Sequence, residues 1–153
     1  MFNASLILSL IISLGTGVLS GFITRQDTAT LFDTIEKAPL TPPAAVFPIV
    51  WTILFALMGI SAYLIFKEEC KYRNVSLAIY SLQLLFNFLW SIIFFKFEQF
   101  DIAFIWLILL WLMVITMTTL FYQCNKTAAL LQIPYIVWLT FAGYLNFAIC
   151  VLN

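Results

Sequence analysis

The chain has 153 residues, 64% hydrophobic and 9% charged, with a formal net charge of zero and a mean hydropathy of +1.08. Soluble domains carry about 25% charged residues and about 45–50% apolar ones, so seven acidic and seven basic side chains cannot coat this chain against water. The composition describes a membrane protein. It excludes a disordered chain, a disulfide scaffold and a nucleic-acid binder, because zero net charge leaves no electrostatic footprint for phosphate.

The charges fall in groups: Arg25 to Lys37, Lys67 to Arg73, Lys96 to Asp101, and Lys126 alone. Between them lie five uncharged stretches, 2–24, 38–66, 74–95, 102–125 and 127–153. A helix rises about 1.5 Å per residue, so about 20 residues cross a hydrocarbon core of about 30 Å. Each stretch is long enough for one crossing and too short for two. The alternating 10-residue pattern of a spanning barrel is absent from the sequence. The sequence therefore predicts an all-α integral membrane protein, a bundle of five transmembrane helices with spans at about 4–23, 45–65, 75–95, 102–122 and 128–151, forming one domain.

In the first span, Gly17 and Gly21 form a GxxxG pattern extended upstream by Ser13. Such spacing lets backbones approach closely, and the partner is left open among a helix of the bundle, a second subunit and a ligand. No Lys or Arg precedes Arg25, so this span reads as a retained helix rather than a secretion signal. The connection 25–43 is the longest and reads as a mobile lid, stiffened where it ends by Pro42 and Pro43.

The second span opens with Pro48, which is tolerated in a first turn, and carries an aromatic stripe of Trp51 and Phe55 continued by Met58 and Ala62. On the third span Gln83, Asn87 and Ser91 recur every four residues and share one face, beside Tyr80 and Phe94. In the fifth, Trp138, Ala142 and Asn146 share a face with Leu145 adjacent, and Pro134 predicts a kink or a displaced helix start. A single amide in a span is ordinarily interhelical glue, and a single tryptophan an interfacial anchor. Several such faces turned inward would instead line an apolar pocket with a few orienting polar groups.

No charge lies mid-span, which argues against a charge-coupled pump. Cys70 and Cys124 sit in loops on the N-terminal face and Cys150 in the last span; with no histidine they make no metal site and read as unremarkable thiols. Four basic residues (Lys67, Lys71, Arg73, Lys126) on the N-terminal face against three (Arg25, Lys37, Lys96) on the other place the N-terminus inside.

Four strings carry a family resemblance: Lys37-Ala38-Pro39-Leu40-Thr41-Pro42-Pro43, Val46-Phe47-Pro48-Ile49-Val50-Trp51, Gln83-Leu84-Leu85-Phe86-Asn87-Phe88-Leu89-Trp90-Ser91, and Pro134-Tyr135-Ile136-Val137-Trp138-Leu139-Thr140-Phe141-Ala142. Together they resemble the translocator protein family, also called the tryptophan-rich sensory or peripheral-type benzodiazepine receptor family (TspO/MBR), in its bacterial-type form. The resemblance covers the whole chain. It implies a five-helix bundle in the bacterial cell membrane, a homodimer, and a cavity closed by the first loop that binds tetrapyrroles such as protoporphyrin IX or isoquinoline carboxamides and benzodiazepines. Trp51, Phe55, Asn87, Trp90, Ser91, Trp138, Ala142 and Leu145 stand where family pocket residues stand, and Pro42 and Pro43 where the loop meets the pocket. The loop departs from the family at Leu31-Phe32, Ala38 and Leu40, losing aromatics. Tyr144 is followed by no Lys or Arg, so the cholesterol motif is incomplete and cholesterol is not expected as a ligand.

Two further readings stand beside a receptor or carrier. One is light- and oxygen-dependent porphyrin breakdown, with Trp51 and Trp138 as the catalytic residues by resemblance. No base, nucleophile or metal site supports conventional catalysis, and no cofactor is expected. The other is a transporter, which the lack of an internal repeat weakens.

Overall fold

The computed structural model describes residues 3–153. Without water, a backbone in hydrocarbon must satisfy its own hydrogen bonds, and helices do so within one segment. Five helical segments are long and apolar enough to cross a membrane. They comprise α1 (Ala4–Thr34), α2 (Val46–Lys67), α3 (Arg73–Ser91) running on into a π-helical turn (Ile92–Lys96), α4 (Phe100–Cys124), and a short α5 (Lys126–Leu130) followed by α6 (Ile133–Leu152).

Asn3 caps α1 by accepting from the Ser5 N–H and donates to the Tyr63 hydroxyl at 2.7 Å. The connection expected to begin at residue 25 does not: α1 runs on through Thr34. Residues 26–34 contain no Gly or Pro, and the hydroxyls of Thr28, Thr30 and Thr34 donate to the carbonyls one turn back. Polar residues thus continue the helix while Leu31, 1% exposed, anchors it. At about 1.5 Å per residue, 31 residues reach well beyond a hydrocarbon core of about 30 Å. The loop is correspondingly short, beginning at Ile35.

Pro48 lies in the first turn of α2, as its position in the span predicts. Pro134 also falls in a first turn, because the fifth span is broken at Leu131–Gln132 and α6 restarts at Ile133. The third span is not uniformly α. After Ser91 the turn widens, with the Phe97 N–H reaching back five residues to the Ile92 carbonyl at 3.1 Å. Such π turns recur at functional sites.

Helix α1 packs along α2 and touches α3 and its π turn, while α4 joins α3 to α6. Across the remaining side, α2 and α6 meet through aromatic rings: Phe47 with Trp138, and Trp51 with both Tyr135 and Trp138. Lipid tails supply no hydrophobic drive between helices, so close backbone contact and hydrogen bonds hold them. Ser9 donates to the Gly59 carbonyl and Ser13 to the Phe55 carbonyl at 2.6 Å, pinning α1 to α2.

Cys70 and Cys124 form a disulfide, with their Cα atoms 5.6 Å apart, which corrects the reading of both as unremarkable thiols. The α2–α3 turn and the end of α4 come together on the N-terminal face, where Asn125 Nδ2 also donates to Glu68 Oε1 at 2.7 Å. A separation of 54 residues gives no local signal of the pairing. Cross-links stabilise by about 0–5 kcal/mol. Here the denatured chain in a bilayer keeps its helices and is already restricted, so Cys70→Ser is expected to cost only about 1 kcal/mol. Thermal unfolding with and without reductant checks this: reductant should lower the midpoint of the parent to that of the variant and leave the variant unmoved.

Candidate functional site

In the half of the bundle away from the N-terminus, α1, α2, α3 and α6 draw apart around a cavity of about 520 Å³. That lies within the roughly 300–1,000 Å³ range of small-molecule sites. Helix α4 contributes nothing to its wall. Eight residues marked by the sequence reading lie on it: Trp51, Phe55, Asn87, Trp90, Ser91, Trp138, Ala142 and Leu145. Pro42 and Pro43 do not. Their neighbours Thr41 and Ala44 line the mouth instead.

The sequence reading missed the α1 side of the wall, including Ser20, Thr24, Thr28 and Phe32. A continuous polar helix beyond residue 25 was the signal that could have found it. Phe32 sits 5.6 Å from Phe47, ring centre to ring centre, so the aromatic that this segment retains stands on α1 rather than in a loop. The π turn places both Phe94 and Phe95 on the wall.

The GxxxG pattern resolves into two roles. A Cβ on Gly17 would stand 2.5 Å from the Phe55 ring, so Gly17 makes room for that ring. A Cβ on Gly21 would meet nothing within 4 Å; this glycine simply keeps the wall thin.

Most polar atoms on the wall are already engaged with other protein atoms. Asn87 Nδ2 donates to the Tyr135 hydroxyl at 2.8 Å, which in turn donates to Gln83 Oε1 at 2.8 Å. Trp90 Nε1 donates to Asn146 Oδ1 at 3.2 Å, and Asn146 Nδ2 to the Phe100 carbonyl at 3.0 Å. Ser91 donates to the Phe88 carbonyl at 2.8 Å and pairs with Ser20. These amides and hydroxyls are glue and wall at once, leaving an interior that is mainly apolar, with eight aromatic rings on its wall.

The tryptophans divide by how they are held. Trp106 stacks on Phe86 at 4.4 Å and donates to its carbonyl at 2.9 Å, while Trp111 donates to Thr140 Oγ1 at 2.9 Å; both lie off the cavity. Trp138 is different. Its Nε1 is buried without a partner among the described residues, and the ring is held by packing on Phe47, Trp51 and Phe141. Trp51 and Trp138 stand edge to face, 6.4 Å apart at 89°.

The loop over the mouth is tied down by polar bonds. The Glu36 N–H donates to Asn153 Oδ1 at 3.0 Å, Asn153 Nδ2 returns to the Glu36 carbonyl at 3.1 Å, and the Tyr144 hydroxyl donates to the Pro39 carbonyl at 2.9 Å. Leu40 holds a positive φ of 69° and is 81% exposed, an unfavourable backbone for a branched residue.

Five apolar helices, four of them surrounding a largely apolar cavity, define a multi-pass integral membrane protein with a pocket inside the bundle. The chain belongs to the TspO/MBR family, whose model matches residues 8–152. It is similar to the tryptophan-rich protein TspO of Chlorobaculum tepidum, 33% identical over 153 residues that cover 96% of this chain and 97% of that one. The tryptophan-rich sensory protein of Cereibacter sphaeroides is 32% identical, with 97% of this chain and 92% of the other covered. The translocator protein of Bos taurus is 34% identical over 91% of this chain and 83% of its own.

Proposed function

We propose that the chain is a receptor or carrier in a bacterial cell membrane, binding flat apolar molecules of the tetrapyrrole class, such as protoporphyrin IX, in the cavity. Isoquinoline carboxamides and benzodiazepines are its synthetic ligands, and it works as a homodimer. The observation that carries this reading is the pair Trp51 and Trp138, meeting edge to face on a wall most of whose polar atoms are already engaged. Indole and phenyl faces stack on conjugated rings, and an apolar cavity is filled more favourably by a macrocycle than by water.

The 6.4 Å approach of the two indoles also favours a second reading, light-dependent porphyrin breakdown, because an oxidisable ring would stand beside the bound macrocycle. Titrating purified protein with protoporphyrin IX separates the two. A saturable spectral shift, stable in light and darkness, supports a receptor. Loss of the porphyrin absorbance in light and oxygen only, abolished by Trp51→Phe, supports breakdown. No saturable shift in either condition would overturn both.

The segment Ile35–Ala45 acts as the lid, shorter than the 25–43 connection suggested. The strained Leu40 offsets part of the cost of breaking the loop's few polar ties, so local opening is accessible, and ligand shifts the balance by its preference for the closed form. Hydrogen exchange there is expected to slow on saturation with protoporphyrin IX, while α1 up to Thr34 stays protected throughout. Equal exchange in both states would contradict a lid.

The disulfide bears on orientation. Cystines persist in oxidising compartments, and the basic-residue count that favoured an inside N-terminus differs by one. We therefore read the face bearing Cys70 and Cys124 as outside and the cavity mouth as cytoplasmic.

A further inference from the structure

Among all the residues on the cavity wall, Lys37 alone carries a charge. It lies at the mouth, exposed, three residues past the end of α1. Its backbone is held on both sides: Glu36 is clasped by Asn153, and Ala38 is 4% exposed and accepts from both the N–H and the hydroxyl of Thr41. The ammonium rests 5.7 Å from the centre of the Phe32 ring, a weak contact at an exposed site and readily exchanged for a carboxylate. Asp33 and Glu36 are near in sequence but absent from the wall.

The other polar groups at the mouth are hydroxyls whose protons are already committed. Thr24 donates to the Ser20 carbonyl at 2.9 Å, Thr28 to the Thr24 carbonyl at 2.8 Å, and Thr41 to the Ala38 carbonyl at 2.6 Å. Each retains lone pairs and so accepts from a ligand but does not donate to it. An anionic group arriving at this mouth therefore meets one cationic donor, the Lys37 ammonium.

We propose that Lys37 is a specificity-determining residue that selects ligands with a carboxylate at one end, seating the acid at the mouth and the flat apolar body against Trp51 and Trp138. The assignment deepens the binding reading above and rests on it. It ranks amphipathic acids above neutral rings of the same shape, and it fixes the direction in which the acids enter. A charge-assisted bond beside an apolar cavity is stronger than its neutral counterpart, and it is weakened by salt.

The test uses two matched pairs of probes on the full-length protein in a neutral detergent: protoporphyrin IX with its dimethyl ester, and 1-pyrenebutyric acid with 1-pyrenebutanol. The parent is expected to bind each acid about tenfold more tightly than its neutral partner, with the preference shrinking as salt rises. Lys37→Gln should abolish the preference by weakening the acids alone, and Lys37→Arg should restore it. Lys37 is exposed, so thermal unfolding should be unchanged in both variants, which separates loss of recognition from loss of fold. Equal affinity for acid and neutral probe in the parent, or an equal loss of both in Lys37→Gln, would overturn the assignment while leaving ring binding intact. A preference among the pyrenes that depends on Lys37, with neither porphyrin bound, would uphold Lys37 and overturn the tetrapyrrole reading instead.

Discussion

Trp138→Ala is expected to weaken protoporphyrin IX binding by roughly 30- to 100-fold, about 2–3 kcal/mol. A buried indole contributes about 150–250 Å² of contact, and at about 25 cal/mol per Å² covering half of it with ligand is worth about that much. The ring is also the partner of Phe47, Trp51 and Phe141, so its removal loosens Trp51 as well. Trp111→Ala is the matched control. That indole is bonded to Thr140 and lies off the cavity, so its loss should lower stability and leave affinity within about twofold, well under the 1.4 kcal/mol of a tenfold change. Titration of both variants by fluorescence quenching checks the contrast. Equal losses in the two would mean that ring binding is not confined to this cavity.

Gly59→Val is expected to be the most destabilising single change of those considered, by about 3 kcal/mol, at the upper end for overpacking. A Cβ there would stand 3.1 Å from the Leu10 Cα and 3.2 Å from the Ser9 carbonyl oxygen. Those are backbone atoms, so relief requires moving α1 as a body, and the move would break the bonds of Ser9 and Ser13 to α2. No hydrophobic drive in lipid compensates for lost close contact. Gly21→Ala is the contrasting case, because its Cβ would meet nothing. Midpoints of thermal unfolding should fall for Gly59→Val and stay in place for Gly21→Ala, and a Gly59→Val variant as stable as the parent would contradict the tight α1–α2 seam.

The five crossings were legible because charge is excluded from hydrocarbon, and the charge groups therefore punctuate the chain. The wall residues on α2, α3 and α6 were legible for a second reason: Trp51, Asn87 and Trp138 repeat at helical spacing on faces too polar or too aromatic for plain lipid contact. What the sequence concealed lies mostly in three dimensions. Thr28, Thr30 and Thr34 look like loop residues until their hydroxyls are seen to bond within the helix. Gly17 and Gly21 look equivalent until one meets the Phe55 ring and the other open space. Trp106 and Trp111 are indistinguishable in composition from Trp51 and Trp138, and only the face on which each emerges separates anchors from wall. Cys70 and Cys124 meet because two turns share one membrane face, a fact no local pattern encodes. The lid was overestimated in length for the same reason as the α1 extension was missed.

Central to this protein is a cavity that holds a flat ligand against the rings of α2 and α6. The most direct measurement is an experimental structure of the protein saturated with protoporphyrin IX. The predicted result is a macrocycle inside the bundle, its rings within van der Waals contact of Trp51 and Trp138 and its acid groups toward Lys37. Porphyrin found on the lipid-facing surface of the helices, with the cavity empty, would contradict it.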